Sequence, residues 1–310
     1  MIIMDTRTKD NIKTALRVSC MAFAMLLVLV LLTGVFWGSK HLVVQRHVIF
    51  YDNLPGNFDG YRILQVSDIH VGTFRDGGED FVRKIVNTIN EQRCDLVVFT
   101  GDMVNRQSSE LDGMNDVFSA ISAKDGVFCI LGNHDYATYS KLSECEQKSD
   151  VDRLLNMERG FGWKPLCNEH VRIYRGKQYV VLAGVENYGA PPFPQYGDIF
   201  KALKGVTRND FVVLLSHDPS HWRMQVVPNT SVQLTLSGHT HAGQFKVWGW
   251  SPVAWKYDEW SGIYKKDTQV LNVSEGVGGF LGPFRFGAWP ELSVITLRRI
   301  PSGVGRNGKR

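Results

Sequence analysis

Thiolate chemistry is poorly provided for in this chain. Five cysteines are scattered through 310 residues with no CxxC pair and no even framework, which argues against a cysteine-bound zinc centre. Cys94 and Cys129 sit among apolar positions and read as small core residues. Cys20 precedes the apolar core of its own segment, the wrong side for the lipid-modified cysteine of a lipoprotein. Cys145 and Cys167 flank a helical insertion, where a bridge in an oxidising compartment and a free pair both stay open. Charge of one sign is also scarce: 35 Lys and Arg against 31 Asp and Glu leave a net +4, with no concentrated basic stripe, so no nucleic-acid partner is expected. Internal repeats and low-complexity tracts are absent.

Charge is missing altogether from residues 18–37, and this local absence is informative. A stretch of about 20 apolar residues spans a bilayer core as a helix, whereas a buried helix of a soluble domain carries a polar face. Residues 18–37 therefore read as a transmembrane anchor. A cleavable signal peptide is the rival reading, but the exit Thr33-Gly34-Val35-Phe36-Trp37 offers bulky aromatics where small residues are needed. Arg7, Lys9, Lys13 and Arg17 precede the span and only Lys40 and Arg46 follow closely. The positive-inside rule then puts residues 1–17 in the cytoplasm and the rest on the outer, periplasmic or extracellular, face of the cell membrane.

Residues 38–60 read as a linker and a first strand (43–51), residues 61–300 as the main folded domain, and 301–310 as a solvated basic tail. Within the domain, short apolar runs end in polar clusters. Residues 61–66 deliver Asp68 and His70, 95–100 deliver Gly101-Asp102, and 127–131 deliver Gly132-Asn133-His134-Asp135. Residues 211–215 lead to His217-Asp218, and 232–236 to Gly238-His239-Thr240-His241. Between them, Phe81, Val82, Ile85, Val86 and Ile89 mark a helix over 80–92, while Leu111, Met114, Val117, Phe118 and Ile121 predict another. Residues 151–158 predict a further helix, 171–174 and 179–183 a strand pair, and 292–297 a closing strand. Strands alternating with helices, with polar residues at strand ends, define an α/β layered fold.

Asp68, His70, Asp102, Asn133, His217, His239 and His241 are all oxygen or nitrogen donors. Seven exceed the needs of one tetrahedral ion but suffice for two if one carboxylate bridges, and Asp102, central in the order, is the natural bridge. Two ions about 3.5–4 Å apart activate a water to hydroxide and stabilise in-line displacement at phosphorus. Phosphoester hydrolysis is the chemistry this donor set predicts.

These motifs, in this order, resemble the signature of the calcineurin-like metallophosphoesterase family, over about residues 64–241. The ending, Gly278-Gly279-Phe280 through Arg285-Phe286-Gly287 to Pro290-Glu291, resembles the membrane-associated bacterial branch. The resemblance implies a four-layer α-β-β-α sandwich and two divalent ions, and the mixed oxygen and nitrogen donor set suits manganese, iron or zinc. It implies that Asp68, His70, Asp102 and His241 hold one ion and Asp102, Asn133, His217 and His239 the other. It makes His134 the group that stabilises the transition state and protonates the leaving oxygen, with Asp135 orienting it. The substrate is then a phosphodiester or pyrophosphate, with a lipid-linked compound attractive beside the anchor. The family includes enzymes that cleave UDP-2,3-diacylglucosamine, a cytoplasmic-side substrate that conflicts with the outward topology. A non-catalytic metal-binding scaffold at the membrane is the reading from another class.

Three features lie outside that set. Arg285, a cation between aromatics, belongs either to a structural loop or to a wall that meets a substrate phosphate. Trp248, Trp250, Trp255 and Trp260 form either a face toward membrane or lipid, or ordinary core. His221 follows Ser220 at a helix start and reads as structural, and Asn105 reads as a turn-stabilising amide.

Overall fold

The computed structural model describes residues 6–75, 77–280 and 282–300; the basic tail lies outside them. The chain opens with α1 (Thr6–Phe36), a helix long and apolar enough to cross a membrane, with a mean hydropathy of 2.6 over its most apolar window and only 6% of that window buried. The strands that follow are β1 (Val43–Tyr51), β2 (Arg62–Val66), β3 (Leu96–Phe99), β4 (Val127–Cys129), β5 (Lys164–Pro165), β6 (Glu169–Arg175), β7 (Gln178–Gly184), β8 (Val212–Leu215), β9 (Leu234–Ser237), β10 (Gly262–Lys266), β11 (Gln269–Val273) and β12 (Glu291–Arg299).

They form two six-stranded sheets, in the orders β1-β12-β2-β3-β4-β5 and β10-β11-β9-β8-β7-β6. The inner strands are parallel: β2 to β5 in one sheet, and β7, β8, β9 and β11 in the other. Strands such as Leu-Val-Val-Phe in β3 and Val-Val-Leu-Leu in β8 are buried along their whole length, as strands covered on both faces must be. Ile63, Val98 and Phe128 meet Leu182, Val213 and Leu236 between the sheets. Outside the first sheet lie α2 (Glu79–Glu91), α3 (Asn115–Ser119) and α4 (Glu144–Gly160), packed through Ile85, Phe118 and Leu154. The second sheet is covered by α5 (Ile199–Ala202) and by a helical stretch from Trp222 through α6 (Val227–Asn229). The result is the four-layer α-β-β-α arrangement.

Some elements differ from the sequence reading. The helix expected across 111–121 is broken into a 3-10 turn (Ser108–Leu111) and α3, because Asp112-Gly113 intervenes and Gly113 takes φ +80°. The helix expected over 151–158 begins earlier, where Ser143 and Glu146 form a capping box. The hairpin β10–β11 has little apolar alternation in its exposed half and escaped the sequence reading. β1 is more than part of a linker: it pairs in parallel with β12 from Val43–Glu291 to Tyr51–Arg299, as an edge of the first sheet.

The end of α1 is packed onto the domain. The Arg285 N–H donates to Gly34 O at 3.1 Å, and the Phe284 ring covers Gly34 so closely that an added Cβ would lie 2.3 Å from it. Trp37 stacks on His41 at 4.2 Å and meets Trp289 edge-on at 5.0 Å.

Candidate metal centre

The C-terminal ends of β2, β3, β4, β8 and β9 open on one edge, and each delivers polar side chains to the same point. Asp68, His70, Asp102 and His241 present ligand-type atoms within 4.8 Å of one another, as do Asp102, His217 and His239. Asp102 belongs to both groups. Asn133 joins the second: its Oδ1 lies 2.7 Å from His239 Nδ1 and 3.1 Å from His217 Nε2.

Reaching this convergence requires unusual backbone. Asp68, His70, Asp102, His239 and His241 all take left-handed φ, between 48° and 72°. Such conformations are disfavoured for residues bearing a Cβ and gather at functional sites, where surrounding contacts hold them. Here the contacts are mutual: Asp68 N–H donates to Gly101 O at 3.0 Å, His70 N–H to Asp102 O at 3.1 Å, and His239 N–H to the Asp68 carboxylate at 3.0 Å. Close approach also needs the glycines. A Cβ on Gly132 would stand 2.2 Å from Asp102 Oδ1, and one on Gly238 would stand 1.9 Å from Ser67 Oγ.

The donor chemistry fits metal ions. His70 Nε2 faces His241 Nε2 at 3.2 Å, and His239 Nδ1 faces His217 Nε2 at 3.3 Å, with buried carboxylates alongside. Ring nitrogens turned on one another around acidic oxygens are what a bound cation reconciles. Burial pushes His70 down to about 3 and His239 to about 4, and it holds His241 well below the imidazole range, so these three rings are neutral, the form in which an imidazole can coordinate a cation. His217 differs. Burial would lower it too, but Asp102 at 3.2 Å raises it to about 10, and the same pairing outweighs burial in holding Asp102 well below the carboxylate range. Outer contacts aim the rings. His217 Nδ1 donates to Thr100 O at 2.7 Å, and Arg285 Nη2 donates to His241 Nδ1 at 3.0 Å.

His134 stands at the edge of this group. Its ring meets His70 edge-on at 4.7 Å and stacks on Tyr139 at 4.2 Å. Its orienting partner is the Asn105 carbonyl, 2.7 Å from Nδ1, which corrects the role expected for Asp135. Asp135 is turned away into the loops behind Asp102, where its oxygens accept the N–H groups of Asp102, Met103, Val104 and Gly132. Arg285 also departs from the substrate-side expectation. It is 2% exposed and its guanidinium is spent on Gly278 O, Ala288 O, Glu275 O and His241. His221 bonds Ser216 at 2.8 Å and takes no place in either donor group, and Cys145 and Cys167 are both free.

A cavity of about 650 Å³ opens over His134, His239 and His241. Its mouth carries Arg106 and Lys256, both exposed, and its walls include Tyr139, Phe193, Val253 and Phe280. Neither cation was singled out from sequence, since isolated basic residues in loops look like solvated surface. Asn105 gives two services: its carbonyl holds His134 while its side chain bonds Thr73.

Residues 61–243 match the family model of the calcineurin-like phosphoesterase domain. With more than half of its length matched, the chain belongs to the calcineurin-like phosphoesterase family, a class of metal-dependent hydrolases. It is 28% identical over 256 residues to a "Transmembrane protein with metallophosphoesterase domain" of Danio rerio, an alignment covering 80% of this chain and 55% of that protein. The chain thus spans about half the length of that relative. It is 29% identical over 270 residues to the "Uncharacterized metallophosphoesterase YkuE" of Bacillus subtilis, with 84% of this chain and 87% of that one covered. Among solved structures, the phosphopantetheinyl hydrolase of Mycobacterium tuberculosis superposes with a TM-score of 0.45 at 11% identity, over 72% of this chain and 92% of that one.

Proposed function

We propose that the chain is a membrane-anchored dinuclear phosphohydrolase that cleaves phosphodiester or pyrophosphate bonds on a lipid-linked substrate. The observation that carries the reading is the pair of donor groups that share Asp102, buried but for the partly exposed His239. Asp68, His70, Asp102 and His241 would hold one ion, and Asp102, Asn133, His217 and His239 the other. Bound there, manganese, iron or zinc ions would supply Lewis acidity and an activated water.

The rest of the work falls to the chain. Arg106 and Lys256 at the mouth attract the phosphoryl group, and Tyr139, Phe193 and Phe280 receive the apolar part of the ester. His134, held through Nδ1 by Asn105 and lining the cavity, gives a proton from its other ring nitrogen to the leaving oxygen. The anchor keeps the cavity beside a bilayer, and the cations ahead of the span favour the outer face.

The test uses the full chain in detergent, stripped of metal and reloaded with manganese, assayed on a phosphodiester and a phosphomonoester chromogen. Wild type should cleave the diester, Asp102→Ala should lose metal and rate together, and His134→Ala should keep metal and lose rate by about 100-fold or more. Two bound ions without hydrolysis of either ester under any metal would replace this reading with the scaffold. A reporter fused to the C-terminus decides the side: activity only from a cytoplasmic reporter overturns the outward placement and restores the UDP-2,3-diacylglucosamine alternative.

A further inference from the structure

Trp248 occupies a position that a soluble domain has no reason to give it. Val247 and Trp250 exchange backbone hydrogen bonds at 2.9 and 3.0 Å around the two-residue turn Trp248-Gly249, with φ of 49° and 79°. That is the geometry of a type I′ hairpin turn, whose first central position favours Asn, Asp or Gly. A tryptophan there is strained, and this one is 101% exposed. Trp255 is 82% exposed nearby in sequence, and Trp250, 44% exposed, meets it edge-on at 5.3 Å.

This aromatic hairpin is continuous with the contact between the domain and α1. Its base pairs with the loop that touches the helix: Lys246 N–H donates to Phe286 O at 2.7 Å, and Phe286 N–H donates to Gln244 O at 3.0 Å. Phe284, two residues before Phe286, lies on Gly34. Gly34 precedes Trp37 by three residues inside the charge-free span, about 4–5 Å further toward its middle at the helical rise. A loop that touches α1 at that level reaches the depth of the bilayer interface.

We propose that Trp248, Trp250 and Trp255, with Phe280 and Phe284, form a second membrane contact that seats in the bilayer interface beside α1. Indole rings favour this zone, where an apolar body and a polar N–H are both accommodated. The same segment builds the cavity: Val253 and Lys256 flank Trp255 and line the opening, as does Phe280. The contact therefore turns the mouth of the cavity toward the headgroups, with Lys256 and Arg106 facing anionic lipid. It rests on α1 spanning the membrane and is independent of whether any ester is cleaved.

The experiment reconstitutes the full chain in nanodiscs of phosphatidylcholine and phosphatidylglycerol whose acyl chains are brominated near the headgroup, and measures quenching of tryptophan emission. Trp37 and Trp289 should be quenched in every variant, which reports the anchor separately. Wild type should show an additional quenched component that is lost in Trp248→Asn/Trp255→Ser. Asn suits the left-handed turn position, so the melting temperature should hold or rise. Equal quenching in wild type and the double variant, with Trp37 and Trp289 still quenched, overturns the contact. So does access of aqueous iodide to Trp248 and Trp255 in the nanodisc equal to that in detergent-free buffer-exposed loops.

Discussion

Asp135 supports Asp102 from behind: its Oδ2 accepts the Asp102 N–H at 2.8 Å while its Oδ1 accepts the next N–H, that of Met103, at 2.9 Å. One carboxylate thereby shapes the turn that presents the shared donor of both ligand groups. Replacing it with Asn turns an amide N–H₂ toward backbone donors. Asp135→Asn should lower metal affinity about 10- to 100-fold, the usual cost of losing an outer-shell partner, and lower the melting temperature with it. Metal titration by calorimetry checks this. A variant that keeps its metal and loses only rate would return Asp135 to the role of a His134 partner.

Gly132 makes the same turn possible by leaving room. A Cβ there would meet Asp102 Oδ1 at 2.2 Å, Asp102 N at 2.5 Å and His217 Cε1 at 2.7 Å, all atoms of the centre or its backbone. Gly132→Ala should therefore abolish metal retention through dialysis while secondary structure by circular dichroism persists.

Arg285 has four partners, three of them carbonyls that would be left buried without a donor. Arg285→Met should destabilise the fold by about 3 kcal/mol or more. Denaturant unfolding measures the loss. If the variant instead unfolds like wild type and only KM rises, the arginine binds substrate after all.

Glu158 is buried on α4 and burial, with Asp135 beyond it, raises its carboxyl to about 8. One oxygen has no hydrogen-bond partner. A raised acid binds its proton more tightly in the folded state, so its contribution is full below the unfolded value near 4.5 and is lost as pH climbs to about 8. Glu158→Gln carries no such loss. The variant should gain on wild type from pH 5 to pH 9, by on the order of a few kcal/mol, and parallel melting curves across that range would contradict it.

The ligand candidates were readable because each follows a short apolar run that nothing but a buried strand explains. Leu96 to Phe99 ending at Gly101-Asp102, and Leu234 to Ser237 ending at Gly238-His239, fold the same way in any α/β layering. The long apolar helix at the start was equally readable, since a charge-free span needs no tertiary partner to be recognised. What each side chain does was another matter. Asp135 stands next to His134 in the chain but faces Asp102, because the loop after β3 meets its own loop there and their four N–H groups, those of Asp102, Met103, Val104 and Gly132, outcompete a single imidazole. Asn105 became the partner of His134 through a carbonyl, which no side-chain pattern encodes. Arg285 stayed open in sequence between a structural loop and a phosphate-facing wall, and the segment from Glu275 to Ala288 that closes around it makes it structural. Local hydrophobic pattern determines where strands end and so where donors gather; the direction each polar group takes is set only when distant loops pack and every buried N–H and carbonyl must find a partner.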